Sequence, residues 1–375
     1  MKILTVIGAR PQFIKSAAIS RAIQKHYSKE LSEITVHTGQ HFDENMSGIF
    51  FKELNLKSPD YRLQDRGDEN RIEDMRLAVR KILEQEKPDA VLVYGDTDST
   101  LAGALAGHDL HIPIVHVEAG LRSFNDQMPE EKNRIKTDQL STLLFTPSKA
   151  GMENLKNEGF LLDNAPPYTM KNPGVYHCGD VMYDNSLYFA QMSDELSNIC
   201  QNLNLPSRYL LATVHRNYNT DNPQRLKAIL ESFVELVEDG ITTVFPMHPR
   251  TNSLLKENFP EWLDTMIKMP GFVIIPPVSF LDIIALEKNA AAILTDSGGM
   301  QKEAFFFKKP CIILREETEW VELVENGNAK LCGADKTMIV SSVKELLSTN
   351  NMTFPPFYGN GDAASFICSE ILKQL

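Results

Sequence analysis

Long apolar runs are missing from this chain. None reaches the roughly 18 residues that a membrane-spanning helix needs, and the opening MKILTVIGARPQ carries too short an apolar stretch for a secretory signal. Both absences predict a cytoplasmic protein. Positive charge is also in short supply: 38 Lys and Arg stand against 50 Asp and Glu, a formal net charge of −12. A binder of nucleic acid or of an anionic membrane needs a dense basic surface, so neither partner is expected; an anionic small molecule needs only a few converging cations. The five cysteines, Cys178, Cys200, Cys311, Cys332 and Cys368, stand singly without CxxC spacing. That excludes a disulfide framework and a zinc knuckle, and they read as small buried hydrophobes. Cys178 would be a nucleophile only with a base, and nothing in the sequence pairs it with His177. No His and Asp spacing fixes a metal geometry, so no metal is expected. GxGxxG is absent from the first strand-to-helix turn, which argues against a nicotinamide cofactor.

What the chain has is regular alternation. Its 375 residues exceed what one core usually supports. Short β-branched runs, KILTVIG, EITVHTG, DAVLVYGD, PIVHVEAG and LLFTPS, are each separated by an amphipathic or Ala-rich helical segment. That pattern predicts a parallel α/β layer. After LDNAPPYTMKNPGV it restarts with YLLATVH, TTVFPMH, GFVIIPPV, AAILTDS and PCIILRE. The prolines near residues 163–175 predict the linker, because they interrupt helices and central strands. The expectation is two Rossmann-like, doubly wound parallel-sheet domains, 1–172 and 173–359. The last helical pattern, AASFICSEILKQ, has Phe366, Ile367, Ile371 and Leu372 as its apolar stripe and must dock. Such domains bind ligands at the carboxyl ends of their strands, so the interdomain cleft is the predicted site.

Four clusters sit at those strand ends. After the first strand, Arg10 and Lys15 flank the start of a helix opened by Pro11, with Ile14, Ala18 and Ala22 on its predicted buried side. A positive helix end with two cations makes an anion site; a merely solvated pair fits equally well. Next come acids: Asp96 closes VLVYGD, Glu118 closes PIVHVEAG, and Glu130 shares a helical face with Arg134 at i, i+4. Crowded carboxylates at neighbouring strand ends supply both an acid and a base. The bland alternative pairs Glu118 with Arg122 and Glu130 with Arg134.

In the second half, His215-Arg216 and His248 leave adjacent strands. An imidazole there is either a proton shuttle or a donor to phosphate; a structural histidine is the other reading. LTDSGGMQKEA runs a strand through Asp296-Ser297-Gly298-Gly299 into a helix. The glycines let backbone amides approach an anion, Ser297 adds a hydroxyl, and Glu303 one turn in suits ribose hydroxyls. The same residues also make a tight strand-to-helix turn.

Together GARPQFIK, YGDTDSTLAGALA, HVEAGLRSF, MPEEKNR, HRN, HPRT, LTDSGGMQKEA, KPCIILREETEW and YGNGDAA, in this order, resemble the bacterial non-hydrolysing UDP-N-acetylglucosamine 2-epimerase family across essentially the whole chain. The resemblance implies a GT-B fold, with the final helix (360–375) returning to the N-terminal domain. It implies interconversion of UDP-N-acetylglucosamine and UDP-N-acetylmannosamine by anti elimination of UDP, a 2-acetamidoglucal intermediate and re-addition of UDP. By matching motif, Asp96, Glu118, Glu130 and His215 form the catalytic set with Lys15 assisting. Arg10, His248, Ser297, Gly298, Gly299 and Glu303 match UDP-binding positions, and Arg134 and Arg216 are expected on substrate or phosphate. The resemblance also implies a cofactor-free cytoplasmic homodimer serving cell-surface polysaccharide biosynthesis.

Three departures stand out. GARPQ replaces GTRPE, Tyr218 replaces the acid of HRxE, and Gln64-Asp65-Arg66-Gly67-Asp68-Glu69-Asn70 replaces a GSGxHxxQT-like segment associated with activation by a second substrate molecule. Gln40 and His41 survive as second-site positions. GARPQFIK, DSGGxQKEAFFFKKPC and TEW also occur in relatives specific for UDP-2,3-diacetamido-2,3-dideoxyglucuronate, the second substrate reading. Other readings are a hydrolysing epimerase releasing N-acetylmannosamine and UDP, a glycosyltransferase and a silent sensor. Fold analogy does not separate them, but three carboxylates beside His215 argue against the last two.

Overall fold

The computed structural model describes residues 1–40, 57–64, 70–125, 127–349 and 351–375. Contacts divide them into two compact units, Met1–Asn185 with Pro356–Leu375, and Ser186–Pro355. Among the described residues, no helix is long and apolar enough to cross a membrane.

The first unit holds a parallel sheet of β1 (Lys2–Ile7), β2 (Ser32–His37), β3 (Tyr61–Arg62), β4 (Ala90–Tyr94), β5 (Ile114–Val117), β6 (Leu143–Thr146) and β7 (Gly174–His177) in the order 3-2-1-4-5-6-7. The second holds β8 (Leu210–Thr213), β9 (Thr243–Pro246), β10 (Phe272–Ile275), β11 (Ala292–Thr295), β12 (Cys311–Ile313) and β13 (Ala329–Leu331) in the order 10-9-8-11-12-13. These are two Rossmann-like sheets, the GT-B class. In each, the order reverses beside the first strand of the unit, at β1/β4 and at β8/β11, which opens a crevice at the carboxyl ends.

The central strands read as nearly continuous apolar runs because both faces are covered. Ile3 and Ile7 of β1 and Leu92 of β4 enter one core, while Leu4, Val6, Val91 and Val93 enter the opposite one. Burying each such side chain contributes about 1.5–3 kcal/mol. Helix Arg10–Ala22 contributes Phe13, Ala18, Ile19 and Ala22 to the first core, whereas Ile14 is only half-buried. The last helix, Ala363–Gln374, packs in the same core. Its buried stripe is Ala363, Ala364, Ile367, Cys368 and Ile371; Phe366 stays 37% exposed, its ring edge-on to Phe145.

The unit boundaries differ from those read in the sequence. The Pro-rich stretch leads into β7, which pairs with β6 from Leu143↔Gly174 to Thr146↔His177. The first unit therefore continues past 172, and helix Val181–Leu196 carries the chain across at Asn185 and Ser186. The return falls at Pro355 and Pro356 rather than at 359. In the first unit the returning chain meets the outgoing one at Gly179: its φ is +83°, and a Cβ there would lie 2.8 Å from the Tyr358 carbonyl oxygen. Only glycine fits so close an approach. Five residues on, the Asp184 carboxylate accepts from the amides of Ala363 (3.2 Å) and Ala364 (2.8 Å), capping the last helix.

Candidate active site

The first crevice starts with the turn after β1. Gln12 is 1% exposed; its carbonyl oxygen accepts from the amides of Gly8 (2.8 Å) and Ala9 (3.0 Å). Its amide nitrogen donates to the Tyr94 carbonyl (3.1 Å) and the Thr100 hydroxyl (2.9 Å). A carboxylate could not donate, so the GARPQ departure is a matched substitution that ties the helix start to the end of β4.

One turn on, Lys15 forms an ion pair with Glu118, both side chains largely buried. Gly95, at φ +64°, lies against this pair: a Cβ there would be 3.3 Å from the Lys15 ammonium and 3.5 Å from Glu118 Oε2. Glu118 itself sits at φ +74°, a strained conformation for a non-glycine residue, costing on the order of 1 kcal/mol or more. It is held by the Phe145 carbonyl, which accepts from the amides of both Glu118 (2.9 Å) and Ala119 (3.0 Å). Strain held in this way aims the carboxylate at the end of β5. Asp96 pairs with Arg134 at 2.6 Å.

The bland pairings foreseen from sequence do not form. Glu118 takes Lys15, Arg134 takes Asp96, and Arg122 takes Asp138 (2.7 Å) and Glu158 (2.6 Å). Glu130 is exposed in the first turn of helix Pro129–Leu140, with no ion pair among the described residues. Its neighbour Glu131, which sequence reasoning missed, is 3% exposed. It accepts from the Ser123 amide (2.8 Å), the Ser123 hydroxyl (2.9 Å) and the Phe124 amide (3.0 Å), holding the loop before the helix. Only the doubled acid of PEEKNR hinted at it. Gln40 accepts from the Ser99 amide (3.1 Å) and hydroxyl (2.6 Å). His41, residues 65–69 and the side chain of Arg10 lie outside the described residues.

The second crevice is built around Asp296, at the end of β11 and fully buried. Its carboxylate accepts from the amides of His215 (3.1 Å) and Arg216 (3.0 Å) and from the Asn219 side chain (3.1 Å), and lies 3.3 Å from His215 Nδ1. Asp296 thus fixes the turn that presents His215. Burial lowers the His215 imidazole below its ordinary pKa, and the Asp296 charge only partly opposes this. The rings of His215 and His248 lie 5.9 Å apart, and His248 Nδ1 accepts from the Arg250 amide at 3.2 Å. The Arg216 side chain is exposed; its charge acts on Glu319 and His215, and it makes no ion pair within 4 Å among the described residues.

Ser297 is the N-cap of helix Gly298–Phe306, its hydroxyl accepting from the Met300 amide at 3.5 Å. Gly298 and Gly299 form the first turn, Gly299 being exposed, and Glu303 is half-buried one turn on. Arg315, not singled out from sequence, pairs with Glu319 at 2.9 Å; a Cβ on Gly298 would lie 3.9 Å from its Nη1. Its signal was its place at the polar end of the predicted strand run PCIILRE. Among the described residues, no cluster of His, Cys, Asp and Glu suits a metal ion.

The first crevice can exchange protons through paired carboxylates, and the second can hold an anion at a helix start. The family described as UDP-N-acetylglucosamine 2-epimerase matches residues 21–372. The chain is 46% identical over 375 residues, the full length of both, to the UDP-2,3-diacetamido-2,3-dideoxy-D-glucuronate 2-epimerase of Pseudomonas aeruginosa. It is 39% identical, across 98% of each chain, to a UDP-N-acetylglucosamine 2-epimerase of Methanocaldococcus jannaschii. A crystal structure of Methanocaldococcus jannaschii UDP-GlcNAc 2-epimerase in complex with UDP-GlcNAc and UDP matches with a TM-score of 0.80 at 38% identity, covering all of both chains. The Neisseria meningitidis enzyme bound to UDP-GlcNAc matches with a TM-score of 0.79 at 29% identity, also over both full chains. Full-length likeness of this kind, over a site built from the motifs that suggested it, places the chain in the UDP-N-acetylglucosamine 2-epimerase family.

Proposed function

We propose that this chain is a non-hydrolysing 2-epimerase of a UDP-linked 2-acetamido sugar, and that its substrate is UDP-2,3-diacetamido-2,3-dideoxyglucuronate. The reaction reading rests on one observation: at the first crevice, Glu118 and Asp96 are each held by a cation, Lys15 and Arg134. Epimerisation by elimination needs a base to take the C2 proton as the C1–O bond to UDP breaks and a C1=C2 double bond forms. An acid then returns a proton to the opposite face of C2 while UDP oxygen re-forms the bond to C1. Two carboxylates with separate partners suit these two roles. His215, Arg216, His248 and the Ser297-Gly298-Gly299 helix start bind the departing diphosphate, and Glu303 takes the ribose. Glu130, exposed in the first turn of its helix, is assigned to the substrate-facing acids by motif alone.

For the substrate, the 46% identity to the diacetamidoglucuronate enzyme over the full length of both chains favours the uronate, in line with the resemblance drawn from GARPQFIK and DSGGxQKEAFFFKKPC. UDP-N-acetylglucosamine is the second reading, supported by the relatives that are named for it. We assign the protein to the cytoplasm as a cofactor-free homodimer in cell-surface polysaccharide biosynthesis, as expected of the family.

The test is to incubate the protein with each sugar nucleotide in deuterated water and follow it by proton NMR. Deuterium at C2 of a manno-configured UDP-sugar from the uronate, with at least about tenfold slower exchange from UDP-N-acetylglucosamine, is the expected result. The reverse preference installs the second substrate; free sugar plus UDP makes the enzyme hydrolytic.

A further inference from the structure

His116 is fully buried in β5 and is not used by the reaction as described. Its Nδ1 lies 2.7 Å from Asp138 Oδ1 and its Nε2 lies 2.8 Å from the carbonyl oxygen of Gly95. A carbonyl can only accept. Asp138 is equally committed as an acceptor: its Oδ2 takes the Arg122 guanidinium (2.7 Å) and the Gly120 amide (3.2 Å). Burial works to raise the Asp138 carboxyl, but the His116 contact and the Arg122 charge outweigh it and hold the group below its usual range. With acceptors at both ends, the ring satisfies its neighbours only when both nitrogens carry protons.

Arg122, its side chain 1% exposed, also donates to Glu158 (2.6 and 2.7 Å) and to the Leu121 carbonyl (2.7 Å). Glu158 lies at the surface, so Asp138 is the fully buried carboxylate here, with Arg122 on one oxygen and His116 on the other.

The Gly95 peptide is where this matters. Its amide donates to the Val117 carbonyl (2.9 Å) and its carbonyl accepts from His116, so both faces of the residue before Asp96 are pinned. The same carboxylate, Asp138, holds Gly120, two residues after Glu118.

We propose that His116 is a positioning residue held as a doubly protonated imidazolium between Asp138 and the Gly95 carbonyl, where it orients the Gly95–Asp96 peptide and so the Asp96 carboxylate. This rests on the role given to Asp96 above. The direct test is long-range proton–nitrogen correlation NMR of the intact protein with ring-labelled histidine at pH 7.5. The expected His116 pattern has both ring nitrogens protonated; a pattern with one bare nitrogen overturns the proposal, whatever the substrate proves to be. The second test is His116→Gln, which keeps one donor and loses the other. A misplacement of about 1 Å at a reacting group costs on the order of 10²-fold, so kcat should fall by about that factor while the Kd for UDP stays within threefold. An unchanged kcat, or an equal loss in UDP binding, would remove His116 from the positioning of Asp96. If His116→Gln fails to fold, the wild-type spectrum alone decides its protonation, and Asp138→Asn, which weakens the same clamp from the other side, supplies the kinetic readout. If the wild-type protein turns over no UDP-sugar, the reaction reading falls while the spectrum still stands or fails by itself.

Discussion

The two units share a strand order but not a chemistry. The crevice of the first is lined by opposite charges already in contact, Lys15 with Glu118 and Asp96 with Arg134, around a glutamate in a strained backbone conformation. The crevice of the second is lined by two imidazoles, a glycine-led helix start and the exposed Arg216. Its buried carboxylate Asp296 is spent on backbone amides. The first is suited to moving protons and the second to gripping an anion. One topology therefore carries both tasks, and the division lies in a few residues past each strand end rather than in the fold.

The comparison breaks most visibly at Asp96. Asp96→Asn keeps the shape and a partial bond to Arg134 but removes the charge; turnover should fall by about 10³-fold or more, with UDP affinity by calorimetry nearly unchanged. A large loss of UDP binding would merge the two tasks. In the second unit the expectation reverses. Arg216→Ala should raise the Kd for UDP about tenfold, as loss of a charge-assisted contact of about 1.4 kcal/mol requires, without altering the melting temperature; an unchanged Kd would leave Arg216 merely solvated. Asp296→Asn should act through His215, lowering turnover by about tenfold and moving the acid limb of the rate profile, because it removes the charge that partly offsets the burial of the imidazole. An unmoved limb would separate His215 from the rate.

The smallest effect concerns stability. Burial raises the Asp184 carboxyl to about 6, above the ordinary aspartate value of about 3.9. The folded state therefore keeps a proton that the unfolded chain releases between these values. The stability associated with that proton is fully present below about pH 4 and is lost as the pH rises through about 6. Asp184→Asn keeps one acceptor for the helix amides and does not titrate, so whatever it loses at every pH, its stability relative to wild type should rise by about 1–2 kcal/mol between pH 4 and pH 7. A parallel pH dependence for both proteins would show that Asp184 does not titrate in this range.

How much was legible depends on burial. All ten strands expected from apolar runs are present; nine of them lie inside their sheets, and the tenth, β10, is an edge strand that keeps a four-residue apolar run. The three strands missed, β3, β7 and β13, all lie at sheet edges and are two, four and three residues long. An edge strand has one neighbour and less to bury, so it needs no apolar run to announce it. Missing β7 also displaced the predicted domain boundary, since its pairing with β6 was invisible in a stretch dominated by prolines.

Within the candidate site, residue types at strand ends were readable because a parallel sheet delivers them to one edge whatever the details of packing. By itself the sequence determined the two-sheet plan, the strand-end positions of Asp96, Glu118, His215 and Ser297, and the family. Partner choice was decided only in three dimensions. That Glu118 meets Lys15 across 103 positions, that Arg134 turns from Glu130 to Asp96, and that Glu131, Asp138 and Asp296 hold loops rather than ligands all depend on which side chains the packed sheets bring within hydrogen-bond reach. Charged side chains have several possible partners along the chain, and only burial, by making an unpaired charge costly, selects among them.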